Sequence, residues 1–332
     1  MTETPSARFS IFSDLIIMNR FFNPRHFFAA VFIVAFGFSL CKTNSEEVEW
    51  NPNWNVGDRF TVELVKERTT GKVAIDKGRV RLDMSVQEKG KNFYLLHCTY
   101  GRFELEGPQK NNPLVAKMTN LSEGLCLKIK TDKAGLPQKL TNIDEIVEKT
   151  EKTIDLLEDF MKENKLPQTM IVQTIAPVRA MYQKPESVQS AMLNELSLFF
   201  LFCGAALEPD NASEFDELLP NPFQGEPLPG KGTIQLKEFD KQAGMAVVEY
   251  RLTIDKEKAA PILFASMKKM MPQASGPAKE EMPQMDISDQ TLYRIDTKKG
   301  WPLSVEHSRN IKLNGKSGRV QNLSFKTVEE RK

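Results

Sequence analysis

The chain has 332 residues, of which 40% are hydrophobic and 27% are charged, and this balance excludes a disordered chain and a multi-span membrane protein. Since domains usually hold about 100–200 residues, the length fits one large domain or two small ones. Without the three arginines and two acidic residues of residues 1–40, the chain keeps 42 basic and 42 acidic residues and is neutral. Because nucleic acid binding needs a basic surface, we do not expect a nucleic acid partner.

Residues 1–40 are predicted to be a signal peptide with an upstream extension. Residues 27–40 form an apolar run of fourteen residues without a charge, and Arg20 and Arg25 precede it. A helix that spans a bilayer needs about 20 apolar residues, whereas the apolar core of a secretory signal has about 7–15. Met18 lies just before this pattern, and we predict that it is the true start of the protein.

Cys41 directly follows the apolar run and is the candidate lipidation site. An apolar run that ends at a cysteine resembles the lipobox of bacterial lipoproteins, in which that cysteine receives diacylglycerol and becomes the new N terminus. The match departs from the usual box, because Phe38 stands where Leu is usual and Leu40 where a small residue is usual. Spirochaete lipoproteins relax the pattern in a similar way. The resemblance implies export and lipid anchoring in the bacterial cell envelope, and we expect the outer membrane.

Two alternatives to lipidation stay open. Cleavage after residues 35–37 would release a soluble exported protein, and an uncleaved apolar run would itself serve as the membrane anchor. If Cys41 is lipidated, the polar residues 41–49 form a short tether to the folded part. Each buried lipid CH₂ then contributes about 0.8 kcal/mol to membrane binding.

Residues 50–140 are predicted to form an N-terminal β half. Their apolar and polar residues alternate with the period of two that is typical of half-buried strands, and turn residues separate the runs. The predicted strands are residues 60–67, 72–86 and 93–105, with a hairpin turn at 88–91, and a strand–turn–strand unit follows at 125–140.

Residues 141–207 are predicted to form a helical insert. Apolar residues recur at helical spacing in 142–164, and further helices are expected at 168–182, with Pro177 as a kink or break, and at 187–206. The apolar run 198–203 is too short for a membrane span and indicates a buried core segment.

Residues 208–332 are predicted to form a C-terminal β half. Its Pro/Gly-rich connector, residues 219–230, indicates either a boundary between halves or a strap across a sheet edge. The predicted strands are 232–237, 245–254, 289–296, 303–313 and 319–328, with a helix at about 257–271 and a loop at 272–286.

The segments 129–137 and 295–302 resemble each other, since each places Gly, a large apolar residue and Pro between two strands. Gly supplies a positive φ and Pro fixes the exit from a turn. This similarity indicates either two hairpin turns that share favourable turn residues or two related β halves.

Three local patterns, in residues 54–60, 219–230 and 293–302, are similar to those of bacterial lipoproteins of unknown function. The resemblance implies mostly antiparallel β structure with a helical middle, and that group has no agreed active site to transfer. A looser likeness is to half-barrel envelope lipoproteins that carry lipids, in which a curved sheet wraps helices.

The remaining reactive side chains predict no catalytic, metal or cofactor site. His97 and His307 lie in separate predicted strands, and neighbouring side chains on a strand, such as His97 and Cys98, point to opposite faces. We expect Cys98, Cys126 and Cys203 to be buried free thiols, although one disulfide stays open. Two further groups are interpreted mainly as packing residues. For the methionines, copper binding or adaptable apolar contact stays open: Met267, Met270, Met271, Met282 and Met285. For the tryptophans, a binding groove stays open: Trp50, Trp54 and Trp301.

The sequence therefore predicts an α+β fold, a curved and mainly antiparallel sheet with a helical insert. The preferred functional hypothesis is a non-enzymatic envelope lipoprotein that binds an apolar ligand, such as a lipid, or an envelope protein partner between sheet and helices. The alternatives are a surface-exposed structural or adhesive lipoprotein and an envelope hydrolase with an unrecognised site.

Overall fold

The computed structural model describes residues 47–70, 73–107, 110, 123–209, 211–222, 226–270, 284–314 and 316–331. Within these residues it contains thirteen strands and four helices. The predicted signal peptide and Cys41 lie outside them, as do Met271, Met282 and most of the loop that joins the last helix to the following strand.

The helices are α1 (Ile143–Glu163), α2 (Gln168–Tyr182), α3 (Pro185–Phe199) and α4 (Lys256–Met270). The strands of the N-terminal part are β1 (Val48–Glu49), β2 (Arg59–Thr70), β3 (Val73–Lys89), β4 (Tyr94–Glu106), β5 (Cys126–Thr131) and β6 (Pro137–Leu140). The later strands are β7 (Ala206–Leu207), β8 (Ala212–Leu219), β9 (Leu228–Asp240), β10 (Met245–Ile254), β11 (Met285–Asp296), β12 (Trp301–Leu313) and β13 (Lys316–Arg331).

Eleven of these strands form one antiparallel sheet in the order β6-β5-β4-β3-β2-β13-β12-β11-β10-β9-β8. The strands that precede the helical insert and those that follow it are joined where β2 pairs with β13. Both groups thus belong to a single curved sheet, and β1 and β7 form a separate two-stranded sheet. This arrangement confirms the predicted α+β class, a mainly antiparallel sheet with a helical insert.

One face of the large sheet is buried, and we call it the core face. Residues alternate along each strand between this face and a polar outer face, as expected for the period of two. In β11, for example, Ile287, Tyr293 and Ile295 are buried, whereas Gln290 and Arg294 between them are exposed. The alternation explains why most strand positions were predictable from the sequence.

The helical insert runs through α1, α2 and α3. Helix α1 is amphipathic, and Ile146, Ile154, Leu157 and Met161 are buried on one side of it. Helix α2 continues through Pro177 without a break. The third predicted helix was too long, because α3 ends at Phe199 rather than near Ala206.

The chain leaves α3 through a tight turn that remains buried, and residues 199–203 all lie in the core. Gly204 has φ +70°, a conformation that glycine adopts readily and that ends the helical path. The Trp50 indole Nε1 donates a hydrogen bond of 2.5 Å to the Phe202 carbonyl oxygen and fixes the turn. The prediction that 198–203 is a buried core segment is confirmed.

The Pro/Gly-rich connector is neither a boundary between halves nor a strap across an edge. Leu219 at the end of β8 pairs with Leu228 at the start of β9, so the connector joins two neighbouring antiparallel strands. Strand β8 itself was not predicted, because the acidic Glu217 occupies a buried position and the apolar Leu218 an exposed one, which interrupts the alternation. Charged residues are common on edge strands, where they oppose pairing with other chains.

The two similar sequence segments form equivalent turns, β5–β6 and β11–β12, and both contact the segment that leads into β2. Gly135 has φ +84°, and a Cβ there would lie 2.6 Å from the Trp54 ring. Gly300 has φ +63°, and a Cβ there would collide with the Asn51 carbonyl oxygen. In both turns glycine allows a close backbone approach that another residue would block.

An aromatic cluster joins the insert to the sheet. The Phe199 ring centroid lies 5.0 Å from that of Phe200, 5.8 Å from Trp301 and 5.1 Å from Phe325. Aromatic pairs at these separations contribute about 0.5–1.5 kcal/mol beyond the area that they bury. The end of α3 is therefore the main apolar contact between the helices and the centre of the sheet.

We expect Phe199→Ala to lower the free energy of unfolding by about 3–5 kcal/mol, because a fully buried aromatic side chain leaves a cavity between insert and sheet. Chemical denaturation would measure the change. Val172→Ala is the matched control: Val172 is 51% exposed on the same insert, and its loss should change stability by less than about 0.5 kcal/mol. Equal effects of the two variants would contradict this account of the core.

Candidate functional site

The core face changes from apolar to polar along the strands. One transverse row of paired residues is apolar or aromatic: Tyr293, Val305, Phe325 and Leu64. The row two residues further along contains Thr291, His307, Leu323 and Lys66, and the next contains Asp289, Arg309, Gln321 and Arg68. Four adjacent strands, β11, β12, β13 and β2, thus place consecutive polar side chains on a face that elsewhere forms the core.

The residues of α3 that face the sheet also change from apolar to polar, and the change occurs beside the same rows of the sheet. Near its end, the Leu198 carbonyl oxygen accepts a 3.0 Å hydrogen bond from the Tyr293 hydroxyl in the apolar row. One turn earlier, Glu195 forms a salt bridge with Lys66 in the mixed row. Glu195 and Leu198 are three residues apart, which is about 4.5 Å along the helix, and two strand residues rise about 6.6 Å. The polar part of α3 therefore faces the polar part of the sheet.

Asp289 and Arg309 form a buried ion pair at the centre of the polar row. The Arg309 Nε and Nη2 atoms donate hydrogen bonds of 2.8 and 2.7 Å to the two carboxylate oxygens of Asp289. Both residues are about 3% exposed. Such a bidentate ion pair offsets the large free-energy cost of removing two charges from water.

His307 lies beside this pair and is itself buried. Its Nδ1 is 2.8 Å from the Thr291 hydroxyl oxygen. Burial lowers the pKa of His307 to about 4, with a smaller lowering from Arg309 and an opposing effect of Asp289. The imidazole is therefore neutral near pH 7. A histidine next to a hydroxyl could activate a nucleophile, but Thr291 is 0% exposed, so no substrate reaches its oxygen in this arrangement.

A half-open cleft lies between α3 and the polar rows, with about 80 Å³ of free space. Its lining includes four cationic side chains and two carboxylates: Lys66, Arg68, Arg309, Arg319, Glu67 and Glu195. The amides of Asn194 and Gln321 and the imidazole of His307 also line it. Pockets for drug-sized ligands have about 300–1,000 Å³, so this cleft accommodates a small polar group rather than a whole lipid.

Of the sequence-predicted residues that the structure describes, only His307 is in the lining of this cleft. Cys98 and Cys203 are buried free thiols, Cys126 is a half-exposed free thiol, and burial raises the pKa of the first two. His97 is half-buried on β4, near Lys128 and Glu145. The tryptophans that could have lined a groove, Trp50, Trp54 and Trp301, are all core residues, and of the candidate methionines Met285 is buried in the core.

Among the residues that the structure describes, no three His, Cys, Asp or Glu side chains are grouped so that they could hold a metal ion. None of the described helices is both long enough and apolar enough to cross a bilayer.

Sequence reasoning missed the polar cleft because its residues are scattered over three strands and one helix. A signal did exist: Asp289 and Arg309 stand at positions where the alternation requires core residues. Charged residues are rarely buried unless they are paired. Two residues of opposite charge at core-face positions therefore indicate that they form an ion pair with each other. Their pairing could be recognised only after the register of β11 and β12 was known.

We predict that His307 makes stability fall in mild acid. An unfolded histidine has a pKa near 6.5, and the folded value is about 4, so the unfolded chain binds more protons between these values. The contribution of His307 to stability is complete above about pH 6.5 and decreases towards pH 4, by about 3 kcal/mol in total. Unfolding of His307→Gln and of the parent protein across this range would reveal the difference.

His97→Gln is the matched control for that measurement, because His97 is less buried and its pKa is lowered by a smaller desolvation. Its removal should leave most of the acid dependence intact. A parent protein and a His307→Gln variant with identical pH profiles between pH 4 and 6.5 would refute the assignment.

We expect Asp289→Asn to destabilise the protein by about 3–5 kcal/mol, because it leaves the Arg309 guanidinium buried without its carboxylate. The double variant Asp289→Leu with Arg309→Met should be less destabilised than the single variant, since neither charge of the pair remains buried. Glu306→Gln, which removes an exposed ion pair with Arg294, is the control and should cost less than about 1 kcal/mol. A double variant that is destabilised as much as Asp289→Asn, or more, would contradict the coupling.

No known protein family model and no curated protein sequence matches this chain. Among solved structures, one that concerns lipid–protein interactions in lipovitellin is similar at a TM-score of 0.41 and 8% sequence identity. The match covers 84% of this chain and 26% of the lipovitellin chain, so this chain spans about a quarter of that protein. We infer neither a family nor a function from a similarity of this size.

Proposed function

We propose that this protein is a lipid-anchored, non-enzymatic binding protein of the bacterial cell envelope, most simply at the outer membrane. The observation that carries the binding role is the cleft beneath α3, where polar and charged side chains line an opening in an otherwise apolar core. Burying charges costs free energy, and a fold that needed only stability would place apolar residues there. Buried polar groups that border free space are typical of binding sites.

The anchoring role rests on the sequence around Cys41. The fourteen-residue apolar run, the two arginines before it and the cysteine after it are together typical of a lipoprotein signal. Glu47, where the described part begins, is the sixth residue after Cys41, and this length of chain can span at most about 22 Å. The folded domain would therefore stay close to the membrane surface.

The position of the cleft follows from the same geometry. The segment that precedes β2 lies at the end of the sheet where β2 starts, and Arg68 is nine residues beyond the first residue of this strand. At about 3.3 Å per residue, the polar row lies about 30 Å from that end. An anchor at Cys41 would thus leave the cleft on the side of the domain that points away from the bilayer.

An apolar ligand is the second candidate for binding between sheet and helices. The described interior there is occupied by aromatic side chains such as Phe199, Phe200 and Trp301, so an acyl chain would have to displace the end of α3. Native mass spectrometry of gently purified protein distinguishes the candidates, since a carrier of this kind would retain lipid. A polar ligand or a protein partner needs no such displacement, and we favour it.

A surface-exposed structural or adhesive role is the remaining alternative for a lipoprotein. Protease treatment of intact cells separates it from a periplasmic binding role, because an adhesin must be cut and a protein that faces the periplasm is protected.

We expect the natural protein to incorporate a clickable fatty acid during growth, and Cys41→Ser to abolish this incorporation. Intact mass spectrometry should show a mature chain that begins at a diacylated Cys41. Cys126→Ser is the control, because Cys126 is a half-exposed thiol of the folded domain, and this variant should keep the label.

The two alternatives to lipidation, a soluble exported protein and an uncleaved membrane anchor, would give different results in the same experiment. A soluble exported protein would be unlabelled and shortened near residue 37, and an uncleaved anchor would be unlabelled and retain residues 27–40. Either result would refute lipid anchoring and leave the binding role of the cleft to be tested separately.

A further inference from the structure

We propose that the cleft beneath α3 binds an uncharged amide group of its ligand or partner, which the side-chain amides of Asn194 and Gln321 hold between them. This inference rests on the proposed binding function and deepens it, because it names the chemistry that the cleft recognises. It does not depend on the lipid at Cys41.

The charged side chains that the core face and α3 bring to the lining are already engaged within the protein. Lys66 forms a salt bridge with Glu195, and Arg309 belongs to the buried ion pair. Arg68 and Arg319 each make an interaction of their own as well. A charged ligand would have to displace these partners, so the charges of the lining do not indicate an ionic ligand.

The two side-chain amides of the lining differ from the charged groups in this respect. Asn194 and Gln321 line the cleft, and neither amide takes part in a hydrogen bond within the described part of the chain. Asn194 is only 4% exposed. Buried polar groups nearly always have a hydrogen-bond partner, and an exception calls for an explanation such as a ligand or a water molecule. The amides therefore mark the part of the lining that is left for a ligand.

The placement of the two amides suits a ligand that both donates and accepts hydrogen bonds. One amide lies on α3 and the other on β13, on opposite sides of the cleft, and each has N–H donors and a carbonyl acceptor. A trans amide directs its own N–H and C=O in opposite directions, so it can donate to one side and accept from the other. A carboxylate only accepts and an ammonium group only donates, so neither would satisfy both capacities.

The size and burial of the cleft favour a single uncharged group. The free space of about 80 Å³ admits one small group, and the rest of the ligand would remain outside the half-open cleft. Moving a neutral amide from water into such surroundings costs less free energy than moving an ion, provided that the amide regains its hydrogen bonds.

The test uses the full-length protein in detergent and N-methylacetamide, a small trans amide, as the probe. Saturation-transfer NMR measures binding, and the signal from detergent alone is subtracted. We expect saturable binding with a Kd of about 10 mM, the weak affinity that is typical of so small a ligand. N,N-dimethylacetamide keeps the carbonyl group and lacks the N–H, so it should bind about fivefold more weakly through the loss of one hydrogen bond.

The variant Asn194→Leu should bind N-methylacetamide at least about fivefold more weakly, because leucine is similar in size and has no hydrogen-bonding group. Its Tm without the probe should equal or exceed that of the parent protein, since a buried amide is removed and no hydrogen bond of the folded chain is lost. This second readout separates an amide that binds a ligand from one that stabilises the fold.

A second variant keeps the test decisive if Asn194→Leu fails to fold. Gln321→Met keeps the length of the side chain and removes its amide, so it should weaken binding of the probe by a similar factor. Gln173→Met is the matched control: Gln173 is exposed on α2, and this variant should keep the affinity of the parent protein.

Acetate and methylammonium, measured in the same way, separate failure of this proposal from failure of the binding function. If the folded cleft variants lose binding of either ion and the amide does not bind, the cleft is a binding site of different chemistry and the amide proposal is overturned. If none of the probes binds the parent protein, the cleft holds ordered water only, and both proposals fail. Folded cleft variants that bind the amide as tightly as the parent protein also overturn the amide proposal.

A last comparison identifies the source of the amide. N-acetylalanine methylamide carries its amides on a peptide backbone, whereas N-acetylglucosamine carries its amide on a sugar. Binding of one of them at least about tenfold tighter than N-methylacetamide, with loss in Gln321→Met, identifies that kind of molecule as the source. Affinities equal to that of N-methylacetamide support a small free amide, and in each case the cleft binds an amide group.

Discussion

The contact between the aromatic end of α3 and the centre of the sheet is the interaction on which the rest of the structure depends. An eleven-stranded sheet with one apolar face cannot remain monomeric in water unless that face is covered. Phe199 and Phe200 provide the cover at the junction of β12 and β13, where Trp301 and Phe325 meet them. Trp50 then holds the following turn through its hydrogen bond to Phe202.

This contact also determines where the cleft lies. The apolar end of α3 occupies one level of the core face, so the preceding turn of the helix, with Asn194 and Glu195, must face the next level. The sheet places Lys66, His307 and the Asp289–Arg309 pair at that level. The space between the polar groups of the helix and those of the sheet is the cleft. The candidate site is therefore a consequence of the register between helix and strands.

Much of the fold could be predicted, because alternation and helical spacing are local signals. The strands around Val80, the amphipathic helix from Ile143 and the buried run that ends at Cys203 were all visible in this way. The C-terminal limit of α3 was not, since it depends on a turn that Trp50 stabilises from a distant part of the chain. The cleft was invisible for the same reason, because its lining residues come from four separate segments of the chain, 66–68, 194–195, 307–309 and 319–323.

The order of strands has a kinetic consequence. Strands β2 to β6 and β8 to β13 each pair mostly with their neighbours in the chain, so either group can assemble from local hairpins. In the described part of the sheet the two groups are joined by the pairing of β2 with β13, in which Leu64 lies opposite Phe325, about 260 residues further along the chain, and closing so long a loop is slow. A chain that is synthesised from its N terminus therefore cannot complete the pairing of β2 with β13 until β13 has been synthesised. Until then the strand that contains Leu64 presents an open edge, which chaperones or neighbouring chains could occupy.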